Sequence, residues 1–120
     1  MFDVKYLKSQ TVLFVEDEEV AREILAKVLS KMFKNVITAS NGLEAYEKFE
    51  RASLSSDKID LIISDINMPI VNGLDMLENI RKIDNFVPAI FVTARSETSN
   101  ILRAIDLNVT NYIIKPIQTD

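Results

Sequence analysis

Five polar side chains stand at the ends of apolar runs, and their types are those that phosphoryl chemistry uses. Glu16 and Asp17 follow Thr11-Val12-Leu13-Phe14-Val15, Asp65 follows the run from Ile59 to Ser64, Thr93 follows Ala89-Ile90-Phe91-Val92, and Lys115 follows Tyr112-Ile113-Ile114. Carboxylates packed together repel one another, so either one takes up a proton or a cation sits between them. Magnesium suits the second outcome: it takes one or two carboxylates, retains waters and accepts phosphate oxygens in its octahedral shell. A lysine opposite adds a point charge for a phosphoryl group, and a threonine hydroxyl can donate to the same group. Such a set describes phosphoryl transfer onto or past a carboxylate.

Singly, each residue has a plainer explanation. Glu16, Asp17, Glu18 and Glu19 suit a helix N-terminus through its dipole. Asp65 suits a turn ahead of Met68-Pro69, Thr93 suits a strand as one more β-branched residue, and Tyr112 suits a core. Lys115 before Pro116 suits a solvated lysine in extended backbone. What favours the joint reading is that all of them recur at corresponding strand ends.

The elements that must position these groups are legible as periodicities. The four runs above and Val36-Ile37-Thr38-Ala39 are short and nearly continuously apolar, as strands covered on both faces of a parallel sheet are. Between them, Val20, Ile24 and Val28 repeat at helical spacing, with Ala21, Leu25, Leu29 and Met32 widening the stripe. Leu43, Tyr46 and Phe49 form a second stripe, Leu74, Leu77 and Ile80 a third, and Ile101 with Ile105 a weaker fourth. Asn41-Gly42-Leu43-Glu44 reads as a capping box and Asn72 as an N-cap. Alternating strands and helices predict an α/β domain with a five-stranded parallel sheet. Ligands bind such sheets beyond the carboxyl ends of the strands, where the strand order reverses. The polar residues converge there if strands one, three, four and five are neighbours.

Composition narrows the chemistry. The 120 residues read as one domain without repeats or linkers, 48% hydrophobic and 27% charged. There is neither cysteine nor histidine, which excludes disulfides, thiol nucleophiles, imidazole bases and Cys- or His-ligated metals. A metal site must be a hard one of oxygen ligands. Fourteen basic against eighteen acidic residues give a net charge of −4, with no basic stripe for direct nucleic-acid contact. No run approaches the length of a membrane span and the start lacks a signal-peptide core, so a cytoplasmic location is expected.

The fifth strand runs into Lys115-Pro116-Ile117 and leaves no residues for a closing helix before Asp120. One face of the sheet would then be covered mainly by the first helix, exposing an apolar patch. The expectation is a fragment of a longer chain, able to associate as a homodimer.

Val15-Glu16-Asp17-Glu18, Asp65-Ile66-Asn67-Met68-Pro69-Ile70-Val71-Asn72-Gly73, Val92-Thr93-Ala94 and Tyr112-Ile113-Ile114-Lys115-Pro116 resemble the receiver domain of two-component response regulators, the CheY-like family. Asn41-Gly42-Leu43-Glu44-Ala45 resembles the start of that family's second helix. The resemblance runs from about Thr11 to Ile117 and implies a doubly wound, flavodoxin-like sheet of order 2-1-3-4-5. It implies that Asp65 is the phosphoacceptor for a sensor histidine kinase or phosphotransfer protein. Glu16, Asp17, Asp65 and the backbone carbonyl of Asn67 would hold magnesium, directly or through water. Lys115 would pair with Asp65 and then with the phosphoryl oxygens, while Thr93 moves toward the phosphoryl group and Tyr112 follows it inward. That shift would repack the surface of the fourth helix and fifth strand.

Glu16, Asn108 and the missing closing helix depart from the family pattern: Glu16 stands where many relatives have Asp, and Asn108 where a glycine is common. Arg95 lies where relatives vary and water access is tuned. Two other readings remain: a receiver-like interaction module that is never phosphorylated, and a magnesium-dependent phosphatase of the haloacid dehalogenase type. The latter usually carries a second acid two residues after its nucleophile, where this chain has Asn67. A receiver would catalyse only its own phosphorylation and dephosphorylation.

Overall fold

The computed structural model describes residues 4–93 and 98–114. Helices and strands alternate: α1 (Val4–Leu7), β1 (Thr11–Val15), α2 (Glu19–Ser30), β2 (Asn35–Ala39), α3 (Gly42–Ser53), β3 (Leu61–Ser64), α4 (Gly73–Ile83), β4 (Ala89–Thr93), α5 (Thr98–Asp106) and β5 (Asn111–Ile114). All strand pairs are parallel, in the order β2-β1-β3-β4-β5. This is the expected doubly wound, flavodoxin-like sheet. Val15 lies opposite Ser64 and Thr93 opposite Ile114, so the carboxyl ends of neighbouring strands are level.

The strands coincide with the apolar runs to within two residues. β3 begins at Leu61 rather than Ile59 because Asp60 precedes it as a hydrogen-bonding stop: its Oδ2 accepts from Thr11 N at 2.8 Å. Each long helix up to α4 starts at a side-chain cap, which satisfies otherwise orphaned amides. Glu18 accepts from the amides of Val20 and Ala21, Asn41 from Glu44 and Asn72 from Asp75. The capping box around Asn41 closes one residue early, since Glu44 Oε1 takes Ser40 N at 2.5 Å. The short α1 was not anticipated; it brings Leu7 against Val12 and Phe33.

The two sides of the sheet are unequally covered. On one side Leu13, Val15, Ile62, Ala89 and Phe91 pack against Ala45 and Phe49 of α3 and against Leu74, Met76, Leu77 and Ile80 of α4. On α3 the buried residues are Gly42, Ala45 and Phe49, and Leu43 points outward. That corrects the Leu43-Tyr46-Phe49 stripe by rotating it about the helix. On the other side, no residue of α2 is buried among the described residues. Val20, Ile24 and Val28, read as a core stripe, are exposed. A groove of about 270 Å³ opens between one side of α2 and the sheet, lined by Phe14, Leu25, Val28, Ile63, Val92 and Ile113, while Leu29 packs on Val12 and Phe33. An apolar face is thus exposed as expected. The readings on Ala94, Arg95, Lys115-Pro116 and the closing helix lie outside the described residues.

Two arginines tie α4 to its neighbours. Arg81 of α4 donates from Nε to Leu107 O at 2.8 Å and from Nη1 to Val87 O at 2.7 Å. It ties the α4–β4 connection to the α5–β5 turn, where Asn108 adopts φ 58° in place of a glycine. Arg103 of α5 reaches Asp75 Oδ1 at 2.5 Å and Glu78 Oε2 at 2.6 Å on α4. Hydrogen bonding to Asp75, then to Glu78, pushes the Arg103 pKa upward against its desolvation. Among the described residues no helix is long and apolar enough to cross a membrane.

Candidate functional site

The site forms where β1 and β3 end side by side. Past the last paired residues, Glu16 N donates to Ala39 O and Asp65 N donates to Val15 O, both at 3.1 Å. The parallel ladder thus carries both acids one step beyond the strands to the same edge. Glu16, Asp17 and Asp65 each bring a carboxylate oxygen within 4.8 Å of the others, the metal-competent acidic group among the described residues. This is the convergence that the strand-end reading predicts.

The three acids are held differently. Glu16 is buried at 5% exposure, with Oε2 accepting from Glu18 N at 3.2 Å. Its own carbonyl accepts from Arg22 Nη1 at 2.9 Å, so the second turn of α2 fixes the β1–α2 loop. Asp17 is exposed, and Asp65 is intermediate. Asp65 Oδ1 accepts from Ile66 N at 2.7 Å, and its carbonyl accepts from Ser64 Oγ at 2.7 Å. One oxygen of the aspartate is therefore oriented by its neighbour's amide. Asn67 follows in the exposed part of the loop.

Thr93 ends β4 at the same edge of the sheet, fully buried. Its Oγ1 has no hydrogen-bond partner among the described residues. A buried hydroxyl in that condition costs on the order of 1–3 kcal/mol, so its retention needs a reason. Tyr112 lies beside Phe91 in register and shares the Thr93 face of the sheet. Half-buried, it lines a cavity of about 270 Å³ with Ile101, Ala104, Ile105 and Val109, between α5 and β5. Lys115, assigned to the same edge, lies outside the described residues.

The loop from Asp65 to α4 depends on features that the pattern of apolar runs does not reveal. Val71 N donates to Pro69 O at 2.8 Å across Ile70, whose φ is 70°. This three-residue turn puts a β-branched side chain in the left-handed region, which costs on the order of 1–3 kcal/mol. Both glycines of the chain pack on this loop. Gly42 donates to Val71 O at 2.9 Å, where a Cβ would strike that oxygen, and Gly73 sits against Asp65 O. The available signal was compositional: two glycines in 120 residues, each directly after an asparagine.

An acidic cluster of this kind, at the reversal point of a 2-1-3-4-5 sheet, defines the CheY-like class of fold and site. The chain belongs to the response regulator receiver domain family, whose model matches residues 12–120. It is 35% identical over 114 residues to the probable transcriptional regulator ycf29 of Porphyra purpurea, covering 93% of this chain and 52% of that protein. It is 32% identical over 108 residues to the chemotaxis protein CheY1 of Helicobacter pylori, covering 88% and 84% of the two chains. The chain thus spans about half the length of the first of these relatives and most of the second. Among solved structures, the N-terminal domain of an uncharacterized protein from Wolinella succinogenes superposes with a TM-score of 0.82 at 34% identity, covering 92% of this chain and 85% of that one. The non-phosphorylated HemR receiver domain of Leptospira biflexa gives 0.79 at 30% identity, with 92% and 85% covered.

Proposed function

We propose that the chain is a phosphorylation-dependent signalling switch of a two-component system, with Asp65 as its phosphoacceptor. The observation that carries the proposal is the meeting of Glu16, Asp17 and Asp65 at the strand edge where Thr93 holds a buried hydroxyl without a partner among the described residues. A lone structural acid would need neither the company nor the orphaned donor.

An oxygen of the Asp65 carboxylate forms a bond to phosphorus as the bond from phosphorus to the donor's imidazole nitrogen breaks, and the electron pair leaves with that imidazole. These 120 residues hold no histidine, so the phosphohistidine donor lies outside them, in a histidine kinase or phosphotransfer protein. Glu16, Asp17, Asp65 and the Asn67 carbonyl would hold magnesium, an ion whose oxygen preference fits this donor set. Bound there, the ion would offset the charge of the acids and of the incoming phosphoryl oxygens. The Ile66 amide orients the Asp65 carboxylate through one of its oxygens. Thr93 Oγ1 then donates to the phosphoryl group, and Tyr112 follows into the space that it leaves. Lys115 supplies the remaining positive charge, on the strength of the family resemblance. The chain acts on itself only, forming and hydrolysing its own acyl phosphate, in the cytoplasm beside its kinase. The face of α5 and β5, where Tyr112 lines a cavity, is the surface that changes.

Intact-mass spectrometry after incubation with magnesium and acetyl phosphate tests this reading. One added phosphoryl mass is expected, absent when the metal is chelated. An unmodified chain under conditions that label a known receiver would leave the interaction-module reading in its place.

A further inference from the structure

Ser64 ends β3 and immediately precedes Asp65. Its strand mates are Val15 on one side and Phe91 on the other, and Leu61-Ile62-Ile63 lead up to it. Side chains alternate along a strand, so Ser64 shares the face of Ile62, which packs in the core with α3 and α4. At 1% exposure it is a polar group in apolar company. A buried hydroxyl is costly unless it is bonded, and Ala or Val would fill the same place without that demand. A hydroxyl that merely takes the nearest acceptor explains where Ser64 points, but not why a hydroxyl stands there.

The bond that it makes supplies a reason. Ser64 Oγ donates to Asp65 O at 2.7 Å, and that carbonyl belongs to the peptide joining Asp65 to Ile66. The amide of the same peptide, Ile66 N, donates to Asp65 Oδ1 at 2.7 Å. A peptide unit is planar and rigid, so its carbonyl and its amide turn together. The last paired residue of β3 is Ser64 itself, so the register of the sheet does not set the angle of this next peptide. Gly73 limits the space beside the Asp65 carbonyl but donates to Ile66 O instead. We infer that Ser64 is a positioning residue for the phosphoacceptor: through one peptide plane its hydroxyl aims the Ile66 amide at Asp65 and so fixes the rotamer of that carboxylate. A carboxylate oriented before the donor arrives has less freedom to lose as the bond to phosphorus forms. The effect on phosphorylation rests on the reading of Asp65 as the acceptor, whereas the orientation of the carboxylate does not.

Two variants separate the hydrogen bond from the volume of the side chain. Ser64→Ala deletes the donor, and Ser64→Cys keeps a similar shape with a much weaker one. A cooperative urea melt establishes that each is folded. The first readout is the amide proton of Ile66 in the metal-free protein, which a bond to a carboxylate holds downfield. In both variants it should move upfield and exchange faster with solvent, while the amides of β1 stay in place. The second is labelling by acetyl phosphate at saturating magnesium, which should slow about tenfold in both. An Ile66 resonance unmoved in either variant overturns the proposal, as does labelling at the parent rate. A loss confined to one variant overturns it too, because packing would then be the cause. A parent chain that acetyl phosphate does not label would instead sink the phosphoacceptor reading. The Ile66 resonance needs neither metal nor phosphodonor, and would still decide whether Ser64 orients Asp65.

Discussion

Gly73, the first residue of α4, lies directly against the carbonyl oxygen of Asp65, with the Phe91 ring and the Ile66 α-carbon closing the remaining space. Its amide also donates to Ile66 O at 2.8 Å. The start of α4 is thereby pressed onto the backbone of the acceptor. Gly73→Ala would insert a Cβ between backbone atoms that have no room to move. The expected cost is about 1–3 kcal/mol in urea denaturation, together with slower labelling by acetyl phosphate. Parent-like stability and labelling rate would show that the close approach is unimportant.

Thr93→Val separates structure from signalling. The hydroxyl is buried and finds no partner among the described residues, so removing it should leave stability unchanged or raise it by up to about 1 kcal/mol. Phosphorylation of Asp65 should still occur, but the NMR shift of Tyr112 on phosphorylation should be lost. A variant that is destabilised by more than about 1 kcal/mol would mean that the hydroxyl is bonded in solution.

Asp65→Asn keeps an oxygen to accept from the Ile66 amide and deletes one charge from a crowded trio. Relief of repulsion should raise stability by about 0.5–1 kcal/mol in metal-free buffer. Labelling by acetyl phosphate should vanish. Magnesium should raise the Tm of the parent chain by binding the folded form alone, and raise that of the variant less. Equal magnesium shifts in the two melts would remove Asp65 from the metal site.

Glu44 makes the start of α3 sensitive to acid. The Ser40 amide donating to its carboxylate, helped by the Ser40 hydroxyl and Lys48 against the effect of desolvation, holds its pKa below 4.5. A carboxyl lowered on folding stabilises the fold above its unfolded value. That contribution fades as pH drops from about 4.5 through the lowered folded value. Glu44→Gln should therefore cost about 0.5 kcal/mol at neutral pH, a modest figure for a side chain this exposed. Paired urea melts should converge as the pH is taken below that window, and a constant difference would point to packing instead.

Much of the acidic site was readable before any coordinates, because a strand that ends on a carboxylate announces both its boundary and its edge. Glu16, Asp17 and Asp65 converge for that reason, and the asparagines at 41 and 72 cap where their spacing says they must. Other features have no local signature. The apolar spacing of Val20, Ile24 and Val28 shows that one side of α2 seeks cover, yet it carries no information on what provides it. Leu43 fits a helical stripe as well as Ala45 does, and only the packing of α3 in the core shows that Ala45 is the buried one. Ile70 belongs by propensity in a strand, so its φ of 70° is imposed by the loop that it closes. Arg81 is one basic residue among fourteen until tertiary structure brings the carbonyls of Val87 and Leu107 to its guanidinium. The orphaned state of Thr93 is likewise a property of its surroundings.

The unequal flanks of the sheet imply that the molecule does not come apart all at once. β1 is buried along its whole length between two neighbours, and its amides should be among the last to exchange with deuterated solvent. α2 has no fully buried residue among the described ones and packs through Leu29 on the small Leu7–Val12–Phe33 cluster alone, so it should open more readily than the α3–α4 side. Since Arg22 on that helix secures the carbonyl of Glu16, such an excursion would loosen one wall of the acidic pocket without unfolding the domain.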